Sequence, residues 1–268
     1  MRIRSTGRQM LQAVVTAVGL LTAVGPTLAA DIPAIAAKQR AEQKIFSDHE
    51  IVEGFLKTAF GAEYHLAGHV DRIRKYGGPV RVSTDGAPAS RRAQVAAIVK
   101  DIARRVQHLD IAMAEKSESA NVTVNLVRDR DFDRTIAKFY GSERAREIRN
   151  SLDPQCLSGF RKDEKFEIQH SDIFLTTDNG DFVFYDCAYE ELLQSLGPIN
   201  DTNSVPWTMF NDNVQMGFFD VYDQYILNIL YNPRIKPGMT VQEVKGIMPE
   251  VLEDVRAWVR KVNDLPPE

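Results

Sequence analysis

Residues 187–201 have the sequence CAYEELLQSLGPIND, which predicts a helix that ends in a sharp turn. Glu190 and Gln194 are four residues apart, so a helix places their side chains on one face. Gly197 suits the left-handed conformation that ends many helices, and Pro198 prevents the helix from continuing. The stretch therefore predicts a helix face with polar side chains close to its carboxyl end.

Two further polar residues follow the turn, and we expect Asn200 and Asp201 to come back towards the face that carries Glu190 and Gln194. Glu191 lies beside them on the helix. Together these side chains predict a polar binding cleft. A simpler interpretation stays open, in which Glu190 and Gln194 only bond to each other or to backbone and Asn200 and Asp201 are ordinary turn residues.

The spacing resembles the H-E-x-x-H-x-x-G-x-x-H zinc motif of the metzincin metalloproteases. In this alignment Glu191 takes the position of the general base and Gly197 that of the glycine. The three histidine positions are occupied by Glu190, Gln194 and Asn200. The resemblance implies a protease-like cleft that lacks all three imidazole ligands.

The resemblance extends beyond the motif. Met209 lies where the metzincin Met-turn is expected, and Met216 is a second candidate. Residues 220–231 resemble the C-terminal metzincin helix. The chain also resembles a family of exported bacterial domains without an assigned function, which combine E-E-x-x-Q-x-L-G-x-x-N-D with a later L-Y-x-P-R-I-x-P-G-M. Both stretches are present, over residues 190–201 and 230–239.

Apolar spacing predicts the order of elements: a helix capped by Ser47, a strand over 79–84, a long helix over 91–108 and a strand over 121–127. The dipeptide Asn179-Gly180 predicts a hairpin between strands over 173–177 and 182–185. The metzincin resemblance implies an α+β, zincin-like fold: a twisted mixed sheet backed by a long helix, then the motif helix, then a smaller, mostly helical subdomain.

We expect a single domain over residues 47–265, with subdomains over about 47–200 and 201–265. Residues 1–30 have the basic start, apolar run and small terminal residues of a secretory signal peptide, cleaved after Ala29 or Ala30. Residues 31–46 are expected to form a loosely ordered leader. This predicts a periplasmic or secreted protein that has no membrane anchor once the signal is removed.

The chain has two cysteines, Cys156 and Cys187. In an oxidising compartment we expect them to form a disulfide that pins the start of the motif helix. The alternative is a reactive thiol at Cys187, because a helix amino terminus lowers the pKa of a thiol.

Metal chemistry follows from the donor atoms. If any metal binds, its ligands are Glu190, Gln194 and Asn200, with Asp201 beside them. Carboxylate and amide oxygens suit calcium or magnesium rather than zinc, so the predicted cofactor is none, with these two cations as the alternative. His65 and His69 have the spacing of two ligands on one helical turn, but the sequence offers no third ligand nearby.

Three functions remain open. The leading one is a zincin-like domain without zinc protease activity, whose cleft (Glu190, Gln194, Asn200, Asp201 and Met209) binds an extended peptide or an envelope protein. The second is a metal-dependent hydrolase with Glu191 as general base, and the third is a structural envelope protein. The formal net charge of −4 argues against a nucleic-acid partner.

Overall fold

The computed structural model describes residues 29–61, 71–152 and 155–266. These residues form eight α-helices: α1 (Pro33–Ala41), α2 (Asp48–Ala59), α3 (Ala89–Arg105), α4 (Phe132–Tyr140), α5 (Ser142–Leu152), α6 (Asp181–Gln194), α7 (Val221–Tyr231) and α8 (Val241–Val262). Their five strands are β1 (Val80–Gly86), β2 (Ile111–Met113), β3 (Val122–Val127), β4 (Cys156–Lys162) and β5 (Ile168–Thr176). None of these helices is long and apolar enough to cross a bilayer.

The five strands form one sheet in the order β2-β1-β3-β5-β4. Neighbours are parallel except for β4, which runs antiparallel to β5 at the edge of the sheet. The predicted α+β class with a mixed sheet is therefore confirmed. The predicted long helix is α3, and its apolar face is buried in the main core through Val95, Ile98, Val99 and Ile102.

Successive residues of β5 serve different cores because side chains alternate between the faces of a strand. Ile173 and Leu175 face the main core, to which α3 and α6 also contribute. Phe174 faces a smaller cluster completed from α4, α5 and β4 by Phe132, Ile136, Ile148 and Leu157. The sheet is thus covered on both faces at the β5–β4 end.

Helix starts in the C-terminal and N-terminal parts follow the sequence signals closely. Ser47 and Glu50 form the predicted capping box of α2, and Thr240 with Glu243 does the same for α8. Asp220 caps α7 by accepting hydrogen bonds from two backbone amides of the first turn. The local chemistry of the caps therefore decides where these three helices begin.

The hairpin prediction is wrong. Residues 182–185 are not a strand but the first turns of α6, which begins at Asp181 directly after Gly180. Gly180 has φ 94°, a conformation that glycine adopts easily, so the Asn-Gly pair makes a strand-to-helix turn here. Cys187 consequently lies in the middle of α6 rather than at its start.

The leader is not loosely ordered in the described residues. It forms α1, whose Ile35 is fully buried, and Phe46 also belongs to the main core. The Glu42 carboxylate accepts a hydrogen bond from the Val221 amide at the start of α7, at 2.6 Å. Burial of two apolar side chains and this cap explain why the segment docks onto the domain.

Helix α7 is buried along its whole length, and two carboxyl groups are buried at its start, Asp220 at the N-cap and Asp223 in the first turn. Asp223 accepts hydrogen bonds from the Thr208 hydroxyl at 2.5 Å and the Met209 amide at 2.8 Å. Burial and the negative charge of Asp223 raise the pKa of Asp220 well above its ordinary value of 3.8. Asp220 therefore binds a proton more tightly in the folded protein than in the unfolded chain.

This proton gives a testable pH dependence. Because the folded state binds it more tightly, the contribution of Asp220 makes the free energy of unfolding fall as pH rises above about 4. Asp220→Asn keeps an oxygen for the capping bonds but does not ionise. We expect its Tm advantage over the wild type to grow as pH increases from about 4 to 8 in thermal unfolding experiments. A pH-independent difference would contradict this assignment.

Candidate functional site

Strand β4 and helix α6 are covalently joined. Cys156 and Cys187 form the predicted disulfide, with a Cα–Cα distance of 5.8 Å, so the alternative of a reactive thiol is wrong. Two turns further along α6, the Ser158 hydroxyl donates a hydrogen bond to Oε1 of Gln194 at 3.4 Å. These two links set the edge strand beside the carboxyl half of the motif helix. The predicted binding cleft would lie along these two links, and we refer to it as the β4–α6 cleft.

The turn after α6 depends on a close backbone approach. Gly197 has φ 140°, and a Cβ built on it would lie 2.3 Å from the carbonyl oxygen of Arg74. Any side chain at this position would collide with backbone, which cannot move as a flexible side chain can. Glycine is therefore required here both by conformation and by space.

Beyond the turn the chain does return to the helix face, as predicted. Nε2 of Gln194 donates a hydrogen bond to Asp201 Oδ1 at 2.6 Å. Carboxylate oxygens of Glu190, Asp201 and Asp212 all lie within 4.8 Å of one another. The structure thus brings together Glu190, Gln194 and Asp201, and it adds Asp212. Asp212 was not among the predicted site residues, because it lies in a polar loop whose sequence carries no signal of its partners.

Asn200 has a different role. Its Nδ2 donates a hydrogen bond to the Lys57 carbonyl at 2.7 Å, and its backbone amide donates to the Thr58 carbonyl at 3.2 Å. Both carbonyls belong to the last turn of α2, where a helix leaves carbonyl groups without helical partners. Asn200 therefore caps α2, and its amide nitrogen is directed to that helix.

Glu191 is buried, with 6% of its surface exposed. Its charge acts on Tyr140: burial of the hydroxyl raises the pKa of Tyr140 to about 12, and the charges of Asp172 and Glu191 add to this effect. The Tyr140 hydroxyl in turn lies against Gly159 of β4. The Glu191 carboxylate therefore lies within electrostatic range of the Tyr140 hydroxyl, and little of it is open to solvent.

Met209 is also buried, at 2% exposure, and its turn is anchored by the bond from its amide to Asp223. Met216 is held separately, because its amide donates to Oδ1 of Asp186 at 2.6 Å. Neither observation tests the role of a Met-turn, which stays a prediction. The predicted pair His65 and His69 lies outside the described residues.

The donor set favours hard cations over zinc. Three carboxylates, Glu190, Asp201 and Asp212, offer oxygen ligands of the kind that calcium binds. The amides of Gln194 and Asn200, the other two predicted ligands, make hydrogen bonds to protein groups. Zinc sites in proteins are built from imidazole, thiolate and carboxylate groups, and none of the three histidine positions of the motif carries an imidazole.

The mixed sheet, its antiparallel edge strand and the polar turn define an α+β domain whose candidate site lies between that strand and the end of a helix. The chain belongs to the family described as Protein of unknown function (DUF2927), which matches residues 48–250. The expected membership of a family of unknown function is confirmed, and the matched range includes the disulfide, α6 and the polar turn. No curated protein and no solved structure matches the chain.

The capping role of Asn200 predicts a stability effect. Asn200→Ala leaves the partly buried Lys57 carbonyl without its donor, and we expect a loss of about 1–2 kcal/mol in the free energy of unfolding. Urea denaturation measures this loss. Asn203→Ala, on the exposed part of the same loop, is the matched control and should change stability by less than about 0.5 kcal/mol. Equal effects of the two substitutions would rule out the cap.

Proposed function

We propose that this chain is an exported, zincin-like domain that binds an extended polypeptide in the β4–α6 cleft and has no zinc protease activity. The observation that carries the proposal is the position of β4, an antiparallel strand at the edge of the sheet that is fastened to the motif helix. An exposed sheet edge binds an extended peptide through backbone hydrogen bonds.

The order of elements supports a zincin-like fold. A mixed sheet with the long helix α3 precedes the motif helix α6, and a segment dominated by α7 and α8 follows it. The glycine turn at the end of α6 and the general-base position at Glu191 agree with the same comparison. The disulfide supports export, because disulfides persist in oxidising compartments.

The hydrogen-bond pattern of β4 indicates which groups are available. The Thr176 amide donates to the Gln155 carbonyl at 3.1 Å, so these two residues form a bonded pair. Bonded and non-bonded pairs alternate along an antiparallel ladder, so the peptide groups of Ser158 and Phe160 face away from β5. Within the described residues no strand pairs with this side of β4.

The accessible part of this edge is its second half. Ser158 is buried, Phe160 is half-buried, and Arg161 and Lys162 are exposed. An extended polypeptide would therefore pair first with the peptide group of Phe160. The polar turn after α6 would lie next to the bound polypeptide. The cleft would then offer backbone groups from β4 and polar side chains from the turn.

Peptide retention tests the proposal. We expect the purified protein to retain members of an immobilised library of random twelve-residue peptides without cleaving them, as judged by mass spectrometry. Phe160→Pro removes the outward amide and should abolish retention, because proline cannot donate to a ladder.

The control is Met113→Pro on β2 at the opposite edge. The Ala114 amide bonds to the Val82 carbonyl, and parallel pairing alternates, so the Met113 amide also faces outward. This variant should retain peptides as the wild type does. Circular dichroism shows whether the Phe160→Pro variant is folded. If the folded variant still retains peptides, binding at β4 is contradicted.

The absence of imidazoles from the motif predicts that zinc does not copurify. Elemental analysis of the purified protein should give much less than one zinc per chain. One zinc per chain that is lost in Glu190→Gln would refute the proposal, since that result would make Glu190 a ligand of a functioning zinc site.

A second candidate is a cation-dependent hydrolase with Glu191 as general base. It is favoured by one observation, the convergence of Glu190, Asp201 and Asp212. Under this alternative calcium raises the Tm of the wild type, Asp212→Asn reduces the shift, and Glu191→Gln abolishes peptide hydrolysis. If calcium leaves Tm unchanged and no library peptide is cleaved, this candidate is excluded.

A further inference from the structure

Arg74 is a buried cation next to the β4–α6 cleft. Only 3% of its surface is exposed, and its guanidinium lies 5.7 Å from the centre of the Phe160 ring on β4. Nη2 donates one hydrogen bond, to the Ala59 carbonyl at 3.2 Å, while Nε has no hydrogen-bond partner. In the part of the chain that the structure describes, no carboxylate forms an ion pair with Arg74.

A second buried arginine, Arg91, shows which kind of partner Arg74 lacks among the described residues. Arg91 is 7% exposed and its guanidinium lies 4.3 Å from the centre of the Phe184 ring, so burial and aromatic contact are similar. Arg91, however, donates to Asp181 at 2.7 Å, and its Nε donates to the Thr177 carbonyl at 3.1 Å. Buried charges in proteins are normally paired in this way, and Arg74 is the exception of the two.

A purely structural role accounts for only part of Arg74. Its bond to Ala59 satisfies the last carbonyl of α2, and a cation is favourable at the carboxyl end of a helix. That role uses one nitrogen and leaves Nε unsatisfied. Burial lowers the pKa of Arg74 to about 10, so the group still carries its charge at neutral pH. An uncompensated charge therefore remains in the ligand-free protein.

Arg74 lies beside the path that the proposed polypeptide would take along β4. Its side chain reaches Phe160, at the accessible part of the edge strand, and its backbone carbonyl abuts Gly197, at the turn that ends α6. A polypeptide along β4 would pass this point. The planar guanidinium presents Nε and a terminal nitrogen as a pair of parallel donors, which fits the two oxygens of a carboxylate.

We propose that Arg74 binds a carboxylate of the polypeptide in the β4–α6 cleft, so that the cleft selects extended peptides with an anionic group. This inference rests on the proposed function. The carboxylate can come from the C-terminus of the peptide or from an Asp or Glu side chain, and the two sources are separated by the choice of peptides.

The test uses immobilised random twelve-residue peptides in four sets, with a C-terminal acid or amide and with or without Asp and Glu. We expect the wild type to prefer one carboxylate source about tenfold or more over the set that lacks carboxylates. Arg74→Met should lose this preference but still retain peptides through β4. Arg104→Met, an exposed residue of α3 that removes the same charge, is the control and should keep the preference.

A third variant covers a folding failure of Arg74→Met. Arg74→Lys keeps the charge but lacks the parallel donors, and it should reduce the preference without abolishing retention. A preference that persists unchanged in folded Arg74→Met or Arg74→Lys overturns the inference and leaves the proposed function intact. Equal retention of all four sets by the wild type also overturns the inference and leaves the proposed function intact. No retention of any set refutes both.

Discussion

The close approach of Gly197 to the Arg74 carbonyl fixes the direction in which the chain leaves α6, and the rest of the site depends on that direction. A Cβ at Gly197 would lie 2.3 Å from that oxygen, so the chain can leave α6 in this direction only without a side chain there. The next residues are then delivered to fixed partners. Asn200 reaches the end of α2, and Asp201 folds back to Gln194. One backbone approach therefore couples α2, α6 and the segment around Arg74.

The polar turn is held by bonds between protein groups. Gln194 bonds to both Ser158 and Asp201, and Asn200 bonds to two carbonyls of α2. In a metal site the corresponding positions are oriented by the ion and its bond energy stabilises the fold. Here the amide of Gln194 accepts a hydrogen bond through its oxygen and donates one through its nitrogen, so one side chain connects strand, helix and turn. An imidazole that binds a metal uses one of its two nitrogens for the metal and keeps only the other for a hydrogen bond. The turn geometry is thus supported without metal ligation by these two residues.

The sequence predicts best where local chemistry decides the structure. The capping box at Ser47 acts within one helical turn, so the start of α2 is predicted correctly, and the caps of α7 and α8 at Asp220 and Thr240 act over the same short range. It predicts poorly where burial erases the pattern. Helix α6 is buried on most sides and lacks an amphipathic period, so its first turns resemble a strand. Strand β4, with Ser158 and Gly159 at its centre, has no clear alternation and was not predicted.

Parts of the site depend on contacts between residues far apart in sequence, which explains why they carry no local signal. Asp212 joins Glu190 and Asp201 only because the turn brings its loop back to α6. Arg74 becomes a buried cation only because Ala59 and Phe160 close around it. The pairing of Cys156 with Cys187 could be predicted, because a chain with only two cysteines has a single possible internal disulfide. The sequence could not predict that this disulfide joins an edge strand to the middle of a helix.

The neighbouring residue Lys75 shows why burial alone does not call for an anion. It is also buried, and its ammonium donates to the carbonyls of Leu230 at 2.6 Å and Ile235 at 3.1 Å. Burial, with a smaller effect from the charge of Lys236, lowers the pKa of Lys75 to about 7, so it can become neutral near physiological pH. Arg74 has no such route, because at a pKa of about 10 it stays protonated. A buried lysine can lose its proton, whereas a buried arginine stays charged and needs an anionic partner. In this segment the residue next to the cleft is the arginine.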